Sequence, residues 1–322
     1  MSMRILSVDG GGYLGLAVAA FIDGVERHFG VSLHSRFDLF CGTSTGAIVS
    51  LGLATGKTGA DIVDIYRRHG VRIFPPSSAW RNWLRRQKSL LRPMYPTDPL
   101  RDALHDAFAD LTLGDVRARG KSALVTAFCT TTGQPRIFKT DYTEQPTPFA
   151  HYRLRDIALA SSAAPTYFPL VEIANPVDQR PEVFCDGGLV ANHPALVGYA
   201  EALAALRMPA RQIRLLSLAT PQSDLGEHGR AIPGLERGLW GWRHNLGSIV
   251  IDANATIAHQ VLRRIVDSYA APGPLYERVQ MANPDGTPFD RADSHTTKML
   301  MELGAATAAL PAVRQRLAPF FQ

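Results

Sequence analysis

Cysteine is scarce, with only Cys41, Cys129 and Cys185 in 322 residues. Each falls in or beside an apolar, strand-like run, the number is odd and the spacing fits no metal site. The expectation is therefore reduced buried thiols, with neither a disulfide nor bound zinc. Long hydrophobic runs are missing too: no apolar stretch approaches the ~20 residues of a membrane-spanning helix. The opening MSMRILSVDGGG already reads as a strand by Arg4, leaving no room for the charged, apolar and cleavage regions of a signal peptide, so cytoplasmic placement is expected. There is no low-complexity tract and no repeat at solenoid periods. Strong charge is absent as well. The formal net charge of +5 would favour an anionic partner such as a phospholipid surface or a nucleotide. It is too small to argue for duplex DNA or RNA, and no zinc finger, RNP-type strand or basic recognition helix supports that class.

What is present is alternation. Strand-like runs (RILSV, FDLFCGT, ALVTAFC, EVFCDGG, RLLSLAT) are separated by segments with helical periodicity such as GLAVAAFIDGVERHF and ALVGYAEALAAL. Alternating strands and helices imply mostly parallel pairing with helices on both faces of the sheet. The predicted fold is a three-layer α/β/α sandwich around a mainly parallel sheet. Residues 1–322 are read as one domain, with a motif-bearing core over about 4–220 and a mostly helical part over about 240–322. Segments 74–97 and 221–239 hold Pro, Gly and charge without a clear strand and read as excursions from the core.

Three motifs carry chemistry. GTSTG at 42–46 is a G-x-S-x-G turn between a strand (37–41) and a helix (47–53), the context in which a sharp bend pushes a serine hydroxyl out above the sheet edge. The plain alternative is that Ser44 merely caps the helix. DGGGYLG at 9–15 places three glycines after a buried strand and before a helix, so unobstructed N–H groups meet the positive end of a helix dipole. It matches G-x-G-x-x-G, yet no acid ends a second strand about twenty residues on, so a dinucleotide site is not indicated. The loop instead suits an oxyanion hole beside the serine. FCDGG at 184–188 ends another strand in Asp186, which can take the serine proton if it sits on the same edge as Ser44. Alone, it would read as an ordinary turn aspartate.

In the order DGGGYLG, GTSTG, DGG, the chain resembles the patatin-like phospholipase family. The block SSAAPTYFP (161–169), Asn192 and Pro194 after the last motif, and the stretch LRDALHDAFADLTLGDV through ALVTAFCTTTGQPRIF are similar to family sequence too. The resemblance implies a Ser–Asp dyad, with Ser44 as nucleophile and Asp186 as base. It also implies an oxyanion hole from the amides of Gly10, Gly11 and Gly12, an acyl-enzyme, and no metal or other cofactor. Many members carry Arg or Lys where Leu14 stands. Compact bacterial members include antiphage effectors switched on by cyclic oligonucleotides. That suggests membrane phospholipids as substrate at the inner membrane surface, a cyclic dinucleotide as activator, and a homo-oligomer as one assembly state.

Alternatives from other classes stay open. A Ser-acid-His triad needs a histidine after the acid, and His193, His259 and His295 all follow Asp186, though none has a catalytic loop context. An idle ligand-binding scaffold would leave Ser44 unreactive. A nucleotide-processing enzyme lacks its P-loop lysine. For membrane contact, SSAWRNWLRRQKSLLR (77–92) places Trp80, Trp83, Leu84 and Leu91 on one helical side, with Arg81, Arg85, Arg86, Lys88 and Arg92 and no acid. Tryptophans packed on the core beneath a solvated basic face are an equal reading. Trp240, Trp242, Arg243 and His244 are the cluster best suited to stack on bases and pair with phosphates, unless they serve as core.

Overall fold

Strand β1 (Met3–Val8) is apolar at four of its six positions and buried almost throughout, the exception being Arg4. Such a strand has no solvent face and needs cover on both sides. Its alternate residues feed two separate cores: Leu6 and Val8 join Phe21, Phe40 and Val125 in one, while Met3 and Ile5 join Leu39, Leu124 and Leu215 in the other. The computed structural model describes residues 2–76, 80, 85, 91–142, 148–222, 245–283 and 286–322.

The remaining strands are β2 (Leu39–Thr43), β3 (Ser122–Cys129), β4 (Gln134–Lys139), β5 (Val171–Ala174), β6 (Pro181–Asp186), β7 (Ile213–Leu218) and β8 (Leu275–Val279). All eight form one sheet in the order β5-β6-β3-β2-β1-β7-β8, with β4 also paired to β3. The larger core is closed by α1 (Gly15–Phe29), α2 (Thr45–Ala54), α3 (Gly59–Ile73), α4 (Asp98–Phe108) and α5 (Leu154–Ser161), which contribute Leu16, Val49, Ile62, Leu104 and Ile157. The second face is covered by α6 (Ala195–Ala204) and α7 (Asn245–Asp267) through Tyr199 and Leu262. Helices α8 (Ser294–Ala309) and α9 (Pro311–Phe321) return to the first face with Leu300 and Leu317. The three-layer α/β/α sandwich is as expected.

The sheet is more mixed than the alternation suggested. β1, β2, β3, β7 and β8 are mutually parallel, whereas β4 and β6 run antiparallel to β3 and β5 antiparallel to β6. The β3–β4 connection, residues 130–133, is too short for a parallel crossover and can only close a hairpin. The part after residue 240, expected to be mostly helical, also supplies β8. The three cysteines are free and buried, and burial pushes the Cys41 thiol up from its ordinary value.

Candidate active site

Ser44 stands at the junction of β2 and α2 with φ 55° and ψ −127°, a left-handed conformation that a non-glycine residue holds only when its surroundings over-determine it. The surroundings are its two flanking glycines. A Cβ on Gly42 would come within 2.6 Å of Ala47 Cα, and one on Gly46 within 2.6 Å of Asp9 O and 2.7 Å of Val8 C. The bend is thus packed against the end of β1, backbone on backbone. Ser44 makes no capping hydrogen bond with its side chain, so the plain helix-cap reading does not hold. Its amide instead donates to Ser161 Oγ at 2.8 Å, and that hydroxyl donates on to Thr126 O at 2.7 Å. Ser161, last residue of α5, therefore pins the turn from below. It lies in the small-residue block SSAAPTYFP, where nothing local signals this role.

Ser44 Oγ donates to Asp186 Oδ2 at 2.7 Å. The other carboxylate oxygen, Oδ1, accepts the Gly188 amide at 2.6 Å, which fixes the rotamer. Asp186 ends its strand as expected, but β6 descends toward Ser44 where a parallel strand would have ascended. β4 occupies one edge of β3 from Leu124 to Cys129, so β2 and β6 share the other edge end to end. Thr43 lies opposite Thr126, and Asp186 opposite the next residue, Ala127. The acid begins where the serine strand stops. Burial pushes the Asp186 carboxyl up to about 6, against the lowering effect of the Gly188 and Ser44 hydrogen bonds.

The glycine loop lies beside this pair. Gly12 has φ 56°, and a Cβ there would come within 2.6 Å of Phe289 Cδ2, so glycine is required for conformation and space alike. Gly10 donates its amide to Asn192 O at 3.3 Å, and Tyr13 donates to Phe289 O at 2.7 Å. Among the described residues the amides of Gly11 and Gly12 have no backbone acceptor. Of the three expected oxyanion donors, then, Gly10 is already engaged and Gly11 and Gly12 are open.

Ser44, Asp186 and this loop line a cavity of about 530 Å³ whose wall includes Ile48, Tyr66, Ile73, Phe74, Leu100 and Phe168. Among its described lining residues the charged groups are two carboxylates, Asp186 and Asp252, with no lysine, arginine or histidine. No histidine among the described residues bonds either dyad member. His193 is buried against Asp9. His259 binds Tyr276 Oη and is pushed down to about 4, first by burial and then by Arg278. His295 lies exposed in the first turn of α8. None of these three histidines forms the triad. Trp80 is 67% exposed, against the core-packing reading for that residue. Arg85 donates to Pro75 O at 3.1 Å and stacks 5.6 Å over the Tyr95 ring. Trp83, Arg86, Trp240, Trp242, Arg243 and His244 lie outside the described residues. Among the described residues no helix is long and apolar enough to cross a membrane.

The family model of the patatin-like phospholipases matches residues 6–199, a stretch that contains all three motifs. The chain belongs to the patatin-like phospholipase family. A Pseudomonas aeruginosa protein named cGAMP-activated phospholipase is 34% identical over 263 residues, covering 81% of this patatin-like chain and 74% of that one. A Vibrio cholerae protein of the same name is 30% identical over 292 residues, covering 84% and 79%. Among solved structures, human GIVD cytosolic phospholipase A2 aligns with 99% of this chain and 60% of its own, at a TM-score of 0.54 and 10% identity, a likeness of fold. One departure from the patatin-like pattern has a structural account. Leu14, where members often carry Arg or Lys, is buried in the larger core and lines the cavity, so it extends the apolar wall.

Proposed function

We propose that this chain hydrolyses fatty-acyl esters of membrane phospholipids, with Ser44 as nucleophile and Asp186 as base, and that a cyclic dinucleotide switches it on. The observation that carries the chemistry is the 2.7 Å bond from Ser44 Oγ to Asp186 Oδ2 in the wall of a largely apolar cavity. As Ser44 Oγ attacks the ester carbon its proton passes to Asp186, and the charge developing on the carbonyl oxygen is met by the amides of Gly11 and Gly12. Collapse expels the lysolipid alkoxide, which takes that proton from Asp186. Water then attacks the acyl-Ser44 ester, giving a proton to the carboxylate, and Ser44 is restored as free fatty acid leaves. The largely apolar wall suits the acyl chain of the substrate.

Asp186 must be ionised to accept the proton. Hydrolysis is therefore expected to climb as pH rises through about 6 and to level off above. A rate unchanged between pH 5 and 7 would remove Asp186 as base.

The activator is supported by the two bacterial relatives named for it, and the membrane surface by exposed Trp80 beside the arginine-rich segment. The test is fatty-acid release from anionic vesicles, with and without a panel of cyclic dinucleotides. Low basal release that rises at least about tenfold, roughly 1.4 kcal/mol of coupling, with one ligand is expected. Trp80→Ala should lower release from vesicles while sparing a short soluble ester. Full activity unaltered by every ligand would withdraw the nucleotide, and no release under any condition would withdraw the hydrolase.

A further inference from the structure

Asp9, which opens the glycine loop, is fully buried and is met by a cation from the far end of the chain. Arg278 on β8, only 6% exposed at its side chain, reaches across β7 and donates from Nη2 to Asp9 Oδ2 at 2.6 Å. Its Nη1 donates to Ser217 Oγ on β7 at 2.8 Å and lies 2.8 Å from His193 Nδ1. That nitrogen is also 3.0 Å from Asp9 Oδ1. Arg278 offers only donors and Asp9 only acceptors, so His193 Nδ1 serves Asp9 when protonated and Arg278 when bare. Burial works against the Asp9 charge, but Arg278 and His193 hold the carboxyl below its ordinary value.

None of these groups touches Ser44 or Asp186. Their leverage is through the chain: Gly10 follows Asp9 directly, its carbonyl accepts Thr220 Oγ1 at 2.6 Å, and the open amides of Gly11 and Gly12 come next. A planar guanidinium anchored at Ser217 and on Asp9 fixes where the loop leaves β1, and with it where those amides point. We infer that Arg278 is a positioning residue that sets the oxyanion-binding amides of Gly11 and Gly12 by clamping Asp9 to β7 and β8. The inference rests on the reading of Ser44 as an ester nucleophile served by those amides. A pair that acted on stability alone would change how much enzyme is folded, and not how fast each folded site turns over.

The experiment measures hydrolysis of a short soluble ester per Ser44 titrated with a serine-directed phosphonate. Arg278→Lys keeps the charge but an ammonium cannot hold Asp9 and Ser217 in one fork. It should lower kcat per titrated site about tenfold or more, with KM changed less than about threefold and the pH midpoint still near 6. Leu317→Ala, a core truncation in α9, is the control: it should lower Tm at least as much yet keep the wild-type rate per site. Arg278→Met, which leaves Asp9 charged and unpaired, should be slower still, and if it does not fold the Lys variant decides. A wild-type rate per site in Arg278→Lys, or an equal loss in Leu317→Ala, would overturn the inference. A wild-type enzyme with neither titratable serine nor ester turnover, with or without each cyclic dinucleotide of the panel, would overturn the dyad reading itself, and the clamp with it.

Discussion

Asp186→Asn is expected to lower ester hydrolysis about 10³–10⁴-fold while the folded protein becomes no less stable. The rate falls because an amide cannot take the Ser44 proton. Stability behaves differently because burial raises this carboxyl from 3.8 to about 6, so the fold disfavours its charged form. The sign follows from linkage: the penalty is absent below 3.8, grows as pH rises and is complete above about 6. At neutral pH it is worth roughly 3 kcal/mol. Asparagine keeps an oxygen for the Gly188 amide and can donate to Ser44 Oγ, so the local geometry survives without the buried charge. Thermal unfolding at pH 7.5 should show an equal or higher Tm, and assays on the same sample should show the loss of rate. A folded Asp186→Asn with near-normal turnover would remove the dyad.

Gly46→Ala should be damaging for the opposite reason, since it adds one carbon and removes nothing. That carbon would meet main-chain atoms, Val8 C at 2.7 Å and Asp9 O at 2.6 Å, which cannot rotate aside as a side chain can. The serine turn must lift away from the end of β1 and carry Ser44 off Asp186. Overpacking of this kind costs about 3 kcal/mol, and in a chain of this length that lowers Tm by about 4–5 °C. A displacement approaching 1 Å at the nucleophile costs about 100-fold in rate. Gly56→Ala serves as contrast, because nothing lies within 4 Å of a Cβ there, although its φ of 96° adds strain of its own. Gly46→Ala with wild-type Tm and rate would mean that the turn is not wedged as described.

Local motifs were legible and distant ones were not. The serine turn and the glycine loop each need only a strand, a few small residues and a helix in succession, all within a dozen positions, so their chemistry could be read from GTSTG and DGGGYLG. The direction of β6 could not. An aspartate ending a strand looks the same whether that strand ascends or descends, and only the long-range pairing of Ala127 with Asp186 decides. Strands β4, β5 and β8 were missed because each interleaves apolar with polar or charged residues, as Glu277 and Arg278 do between Tyr276 and Val279. Arg278 carried no signal at all, since it sits 269 positions from the aspartate it holds. Ser161 did carry one, a hydroxyl among alanines at the end of an apolar helix, but nothing local says that it receives the amide of Ser44.

The most direct test of the central claim is rapid-quench mass spectrometry of the intact protein during phospholipid turnover, with peptide mapping of any adduct. The account predicts a transient gain equal to one fatty-acyl group, located on Ser44, absent from Ser44→Ala and formed far more slowly in Asp186→Asn. Fatty acid released at full rate by Ser44→Ala, or an acyl group mapped to any other residue, would contradict it.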